Sequence, residues 1–163
     1  MAAPPENFNE LMGELDYPMF IVTVAREGER AGCLVGFATQ CSIHPPRFLA
    51  CISKLNHTYR LAREASLLAV HFVPADAAPL AELFGGETGD EVDKFARCEW
   101  RPGPDGVPLL DACENWFVGT VVERLDAGDH VGFVLEPVVA ERRAGDGQFT
   151  FHRAKRIEAG HPA

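Results

Sequence analysis

An antiparallel β-barrel, closed or nearly closed, with two or three helices inserted, is the fold class this chain predicts. Three observations carry the reading. Short runs rich in β-branched and aromatic residues recur along the chain: Met19–Val24, Cys33–Phe37, Arg47–Ile52, Leu67–Val73, Trp116–Arg124, His130–Glu141 and Gln148–His152. Turn formers separate them, among them Glu27-Gly28, Pro45-Pro46, Pro74 and Ala127-Gly128-Asp129. The helical patterns are few and short, so they do not alternate with strands as a parallel βαβ sheet requires.

Taken in order, Glu6 to Gly13 predicts a short helix with Phe8, Leu11 and Met12 on one face, within an N-terminal arm of residues 1–14. Pro18 ends that arm, and Met19–Val24 has the β-branched character of a buried strand. Cys33–Phe37 forms the second half of a hairpin and leads into a polar patch, Ala38 to Ser42. Pro45-Pro46 then breaks any ladder, because proline has no N–H to donate. Arg47–Ile52 follows as a strand, and Thr58 to Ala65 as a helix that Asn56 or Thr58 can cap.

Leu67–Val73 is read as a further buried strand, and a helix begins near Asp76 and stops at Gly85-Gly86. Residues 84–103 are irregular, with one brief helix over Glu91 to Ala96. Long irregular connections in a compact domain tend to carry function. The last third predicts a hairpin of Trp116–Arg124 and His130–Glu141, with Pro137 marking an edge or a bulge. A turn over Ala144 to Gly147 leads to a final strand, Gln148–His152, and a tail of residues 157–163.

The chain has 163 residues, which fits one domain spanning 1–163. A net charge of −9 argues against a nucleic-acid partner or an anionic membrane surface, since phosphate selects basic patches. No apolar run approaches the roughly 20 residues needed to span a bilayer, and the first residues lack the basic and apolar regions of a signal peptide. Five cysteines, an odd number with no C-x-x-C spacing, point to reduced thiols and a cytoplasmic protein. The six histidines show no ligand-like spacing, so no metal site is expected.

The stretch from Gly32 to Thr58 concentrates the chemistry. Two strands each end in a small polar cluster, and the second cluster opens a helix. In that second cluster, Ser53, Lys54, Asn56, His57 and Thr58 combine hydroxyl, amide and cationic groups, which suit a phosphate-bearing ligand. The plain alternative is that Asn56 and Thr58 only cap the helix while Lys54 is solvated. In the first cluster, Thr39, Gln40, Cys41 and Ser42 could face the polar edge of a ligand or simply end a strand in water. Nothing in that stretch would activate Cys41 as a nucleophile. His71, between Val70 and Phe72, reads as a packed histidine.

With these motifs in view, the chain resembles the flavin reductase-like, FMN-binding split-barrel proteins. The likeness rests on Y-P-M-F-I-V-T-V (17–24), the Gly32–Pro46 run, S-K-L-N-H-T-Y-R (53–60), D-K-F-A (93–96), G-V-P-L-L (106–110) and G-D-H (128–130). Gly36-Phe37-Ala38 departs from the Ser-Ser-Phe of many members, and His44 stands where an aspartate is common. The resemblance implies a split barrel and a homodimer with FMN, or FAD, near the subunit interface. It also implies NADH or NADPH as the reductant and a monooxygenase as a possible partner.

The resemblance carries Thr39, Gln40, Cys41, Ser42, Ser53, Lys54, Asn56, His57 and Thr58 over as cofactor contacts. It lays the 84–103 segment over the flavin, which adds Phe84, Lys94 and Phe95, although anchoring of that segment to the core explains the aromatic residues equally. His130, in G-D-H, falls beside the nicotinamide and is the candidate catalytic residue. No Rossmann G-x-G-x-x-G is present, so a nicotinamide would stack on a flavin rather than occupy its own fold. Three readings stand: an NAD(P)H:flavin oxidoreductase, a non-catalytic flavin or deazaflavin carrier or sensor on the same fold, and, behind these two, a haem-binding or general stress protein on the same split barrel.

Overall fold

The computed structural model describes residues 2–158, apart from 144 and 146. Helix α1 (Phe8–Glu14) precedes the hairpin β1 (Phe20–Arg26) and β2 (Glu29–Val35). Two residues, Gly36 and Phe37, then lead to β3 (Ala38–Ser42), which a proline turn joins to β4 (Arg47–Ser53). Helix α2 (His57–Ala62), β5 (Leu67–Phe72) and helix α3 (Ala78–Gly86) follow. A 3-10 turn at Lys94–Ala96 precedes the small hairpin of β6 (Trp100–Pro102) and β7 (Pro108–Leu110). The long ribbon β8 (Trp116–Asp126) and β9 (His130–Glu141) leads to helix α4 (Phe151–Ala154).

Seven strands form one antiparallel sheet in the order β2-β1-β5-β8-β9-β4-β3. The edge strands β2 and β3 are consecutive in the chain, and no ladder joins them among the described residues. The sheet nevertheless curls around a shared interior. Cys33 and Val35 of β2 lie in the same core cluster as Ala50 and Ile52 of β4, although four strands separate β2 from β4 in the sheet. The expected barrel is therefore the split form, open along the seam between β2 and β3. Phe133, Leu135 and Ile52, all but inaccessible to solvent, fill its centre. Truncating any of them to alanine should cost about 2–5 kcal/mol.

A second cluster, on the other face of the sheet from Phe20 and Val22, contains Ile21 of β1 with Phe84, Phe95, Leu110 and Phe149. His71 ties it to the sheet. The Leu110 N–H donates to His71 Nε2 at 3.1 Å, so the proton is on Nδ1, which donates to the Ile21 carbonyl at 2.9 Å. One imidazole thereby satisfies a backbone acceptor in β1 and a backbone donor in β7. Full burial holds its pKa down to about 4.

Several sequence expectations need correction. Gln148–His152 is not a strand: Gln148 and Thr150 make isolated bridges to Pro74 and Pro18, and helix α4 begins at Phe151. The alternation is nonetheless used, since Phe149 is buried and Phe151 stacks on Tyr17 at 4.7 Å. Only those few positions have backbone partners, too few for a ladder. The helix expected to reach Ala65 ends at Ala62, and the brief helix expected over Glu91–Ala96 is a single 3-10 turn. The polar patch Ala38–Ser42 is itself the edge strand β3. Pro137 sits at a bulge, where the β8–β9 register skips between Val118 and Gly119, and beyond the last β4 partner, Leu135. The turn expected at Ala144–Gly147 and the tail at 157–163 fall partly outside the described residues.

Candidate functional site

The seam leaves the free side of β2 without a neighbouring strand, and two cavities follow it in succession. The first, of about 320 Å³, runs along Cys33–Phe37 and is lined by Tyr17, Met19, Phe37, Ser53, Asn56 and His130, together with Phe151 of α4 and Lys155 just after it. The second, of about 250 Å³, continues along Arg30–Gly32 and is bounded by His57, Asp90, Lys94 and Phe95. Asn56 faces the first and His57 the second, so the start of α2 divides them. A larger depression of about 900 Å³ lies around Phe72, Trp116 and Glu141, and no candidate residue lines it.

Local sequence accounts for the polar end of the first cavity. Strand β4 ends at Ser53, whose hydroxyl accepts the Leu55 N–H at 3.3 Å and turns the chain. Asn56 has extended backbone, and its side chain accepts the Thr58 N–H at 2.9 Å, which starts α2. The other end is apolar and shaped by glycine. A Cβ on Gly36 would lie 2.9 Å from the Tyr17 ring and 3.1 Å from the Met19 sulfur. Tyr17, Met19 and Phe37 thus give the cavity an aromatic and thioether lining, to which Ser53 and Asn56 add a hydroxyl and an amide. Volume and lining suit a flat heteroaromatic ring with a polar edge, at the lower end of the roughly 300–1,000 Å³ typical of ligand pockets.

His130 opens β9 and pairs with Ser53 across the ladder. Its Nδ1 lies 2.7 Å from Asp129 Oδ1, and its ring is 5.1 Å from that of Phe37. The hydrogen bond from His130 holds the Asp129 carboxyl below its ordinary pKa. His130 is thus oriented by one neighbour and covered by another, and it lines the cavity.

The remaining candidates are more dispersed. Thr39, Gln40 and Cys41 are exposed on β3 and line neither cavity; the Thr39 hydroxyl donates to the Gln40 carbonyl, and the Gln40 amide to the Ser42 carbonyl. Lys54 Nζ donates to Asp126 at 2.9 Å, away from both cavities. Thr58 is buried beside the Cys33 thiol, which desolvation raises above its usual pKa. Phe84 and Phe95 meet edge to face at 5.7 Å within the core, and Phe95 meets Trp100 likewise at 5.8 Å. Lys94 is buried, its ammonium donating to the carbonyls of Gly32 and Phe84. Burial lowers its pKa.

Sequence reasoning did not single out Tyr17, Phe37, Phe151 or Lys155 as cavity residues, nor Arg60 and Asp90 as a pair. Phe37 carried a signal, since a phenylalanine at the end of an apolar run before a polar patch is 57% exposed here. Nothing local marked Phe151, which reaches the cavity through its long-range stack on Tyr17. Among the described residues no group of three histidine, cysteine, aspartate or glutamate side chains could hold a metal ion. No helix among them is long and apolar enough to cross a membrane.

A family profile, the flavin reductase like domain, matches residues 12–159. The chain belongs to that family. Among similar proteins, a probable flavin reductase of Rhizobium meliloti is 29% identical over 128 residues, covering 76% of this chain and 40% of that protein. This chain therefore spans well under half the length of that relative. The FMN reductase (NADH) RutF of Klebsiella pneumoniae is 27% identical, covering 78% of this chain and 77% of that protein. The reductase subunit HsaB of a flavin-dependent monooxygenase from Mycobacterium tuberculosis is 24% identical, covering 77% of this chain and 66% of that protein.

Solved structures agree in fold. A flavin reductase domain protein from Arthrobacter superposes with a TM-score of 0.82 over 90% of each chain at 22% identity, a likeness of fold alone. An FMN-binding protein from Thermus thermophilus superposes with a TM-score of 0.76 at 26% identity, over 86% of this chain and 76% of that one.

Proposed function

We propose that this protein is an NAD(P)H-dependent flavin reductase that binds FMN along the seam and reduces it with a nicotinamide. The observation that carries the reading is the Gly36 cradle, a ring-sized cavity lined by Tyr17, Met19 and Phe37 together with Ser53, Asn56 and His130. Family membership supports it, as do the similar proteins named FMN reductase (NADH) and flavin reductase. Bound there, FMN supplies the two-electron acceptor.

The chain's part is to bind, orient and exclude water. Tyr17, Met19 and Phe37 cover ring faces. Ser53 and Asn56 offer polar atoms to the ring edge or ribityl chain. His57, Thr58 and Lys54 are the candidates for the phosphate. Lys54 reaches it by exchanging its pair with Asp126, a partly exposed contact worth at most about 1 kcal/mol. Thr39, Gln40, Cys41 and Ser42, on the edge strand outside both cavities, remain candidates only for a part of the ligand that extends beyond them. His130, held by Asp129, positions the nicotinamide or passes a proton to the cavity. FAD fits the same reading if its adenylate extends beyond the second cavity.

The assembly belongs to this proposal as well. Exposed Leu125, Val122, Val138 and Val139 on the β8–β9 ribbon, with Leu55 and Phe37 near the cavity, supply an apolar surface for a second copy. The cavity is at the small end for a whole flavin nucleotide, so a partner copy would complete it. A monooxygenase as the consumer of reduced flavin is supported by the likeness to a monooxygenase reductase subunit. A cytoplasmic place is supported by the five free cysteines.

The test is spectroscopic. Purified protein should carry or take up FMN, with flavin absorption bands that bleach on anaerobic addition of NADH or NADPH. Flavin bound but not bleached would make it a carrier, and no binding would end the proposal. His130→Ala should leave FMN affinity within a few-fold while slowing reduction of bound flavin about tenfold or more in stopped flow, the range of a positioning or proton-transfer group. An unchanged rate would return His130 to a structural role.

A further inference from the structure

The 87–93 loop borders the second cavity, and one of its side chains, Asp90, ties it to α2. Asp90 Oδ1 lies 2.9 Å from His57 Nδ1 and 2.8 Å from Arg60 Nη1. Its Oδ2 accepts from the Thr88 hydroxyl at 3.4 Å and from Arg60 Nη2 at 3.3 Å. Two groups from α2 thus converge on a single carboxylate, and together with Thr88 they hold the Asp90 carboxyl below the ordinary carboxylate range, His57 most strongly.

Gly89 lets this happen. A Cβ there would stand 2.7 Å from the His57 ring, so only glycine lets the loop backbone settle on the imidazole. The contact is polar and half exposed, with side-chain accessibilities of 23% for His57, 38% for Asp90 and 62% for Arg60. Beneath it lies the 250 Å³ cavity, lined also by Arg30, Glu91, Asp93 and Lys94. The cavity is continuous in sequence with the ring cavity through Asn56-His57 and Gly32-Cys33.

A planar, two-oxygen anion bonded to an imidazole and a guanidinium is also how a phosphate would be held at this place. We propose that the Asp90 carboxylate is an internal occupant of an anion site formed by His57 and Arg60, and that a phosphate or pyrophosphate group of a nucleotide ligand displaces it and frees the 87–93 loop. The loop is then a competitive strap whose release accompanies binding. The identity of the nucleotide rests on the flavin reductase reading above; the anion site and its occupant do not.

The geometry gives a signed expectation. An acidic residue on the binding face should ordinarily disfavour an anion simply by its charge, but here its removal also unpairs two donors. Inorganic pyrophosphate, titrated calorimetrically into the full chain, should bind Asp90→Asn about fivefold more tightly than the native protein, the scale of one exposed ion-pair contact released. Arg60→Ala added to Asp90→Asn should abolish the gain, and Glu91→Gln, which changes the net charge equally at the same cavity without unpairing His57 and Arg60, should show none. Gly89→Ala keeps the carboxylate but forces the loop off His57, so it should move affinity in the same direction. Circular dichroism confirms that each variant is folded.

Two further arms identify the ligand. FMN compared with riboflavin reports the flavin phosphate, and ADP-ribose compared with adenosine reports the pyrophosphate of a nicotinamide dinucleotide. Whichever phosphorylated member gains in Asp90→Asn is the natural displacer. A pyrophosphate gain with no flavin binding upholds this inference and ends the reductase proposal. Flavin that binds and is reduced, with pyrophosphate affinity unmoved by both Asp90→Asn and Gly89→Ala, overturns this inference alone.

Discussion

His71 makes a quantitative prediction about acid stability. The imidazole is fully buried, accepts from the Leu110 N–H and donates to the Ile21 carbonyl, so the fold requires it neutral. Its pKa lies at about 4 in the fold against 6.5 for an unburied histidine. Below pH 6.5 the unfolded chain takes up a proton that the folded chain refuses. Stability is therefore complete above pH 6.5 and falls as the pH drops toward 4, below which both states are protonated. At 1.36 kcal/mol per pH unit the loss over that window is about 3 kcal/mol. The lowered carboxylates Asp16, Asp90, Asp126 and Asp129 act in a separate window, below their ordinary value of 3.8. Urea unfolding measured between pH 7.5 and 4.5 should show the decline. His71→Gln, which cannot take up the proton, should start less stable and lose much less over the same range. A flat native profile, or an equal slope in the variant, would refute the assignment.

Two other outcomes are expected at the seam. Lys54→Ala should weaken FMN about tenfold or more while leaving riboflavin within a few-fold, because a charged contact to phosphate is worth roughly 1.5–3 kcal/mol; fluorescence titration with both ligands measures it, and equal losses would detach Lys54 from the phosphate. Gly36→Ala should weaken FMN and riboflavin alike with little change in melting temperature, since the added methyl meets Tyr17 and Met19 in the cavity wall rather than in the sheet core.

Much of the fold was legible because period and punctuation act locally. The β-branched runs of β1, β5, β8 and β9 and the Asn56 cap of α2 declare themselves within a few residues. Gln148–His152 was misleading for the same reason: alternation signals a strand, but whether a ladder partner exists is decided 130 residues away by Pro18 and Tyr17. The site was legible by half. Ser53, Asn56 and His130 converge because β4 and β9 pair in register, and their local motifs indicated polar strand ends. The wall from Tyr17 and Phe151, and the Asp90 bridge to His57 and Arg60, arise from contacts across long sequence separations that carry no periodic signal.

Lys94 shows why the open seam is stable enough to serve as a site. A lysine almost wholly buried is costly unless its donors are satisfied, and desolvation already pulls its pKa down. Its ammonium donates to the Gly32 carbonyl on edge strand β2 and to the Phe84 carbonyl near the end of α3. In a closed barrel another strand would cover that edge. Here a side chain from the 3-10 turn does so, while its neighbour Phe95 packs against Phe84 and Trp100. The irregular 84–103 segment is therefore anchored at both flanks of the 87–93 loop, by α3 before it and by the turn after it. The loop between them keeps only polar, half-exposed contacts to α2. These anchors leave the polar, half-exposed attachment of Asp90 to α2 as the contact that the proposed displacement at the second cavity would have to break.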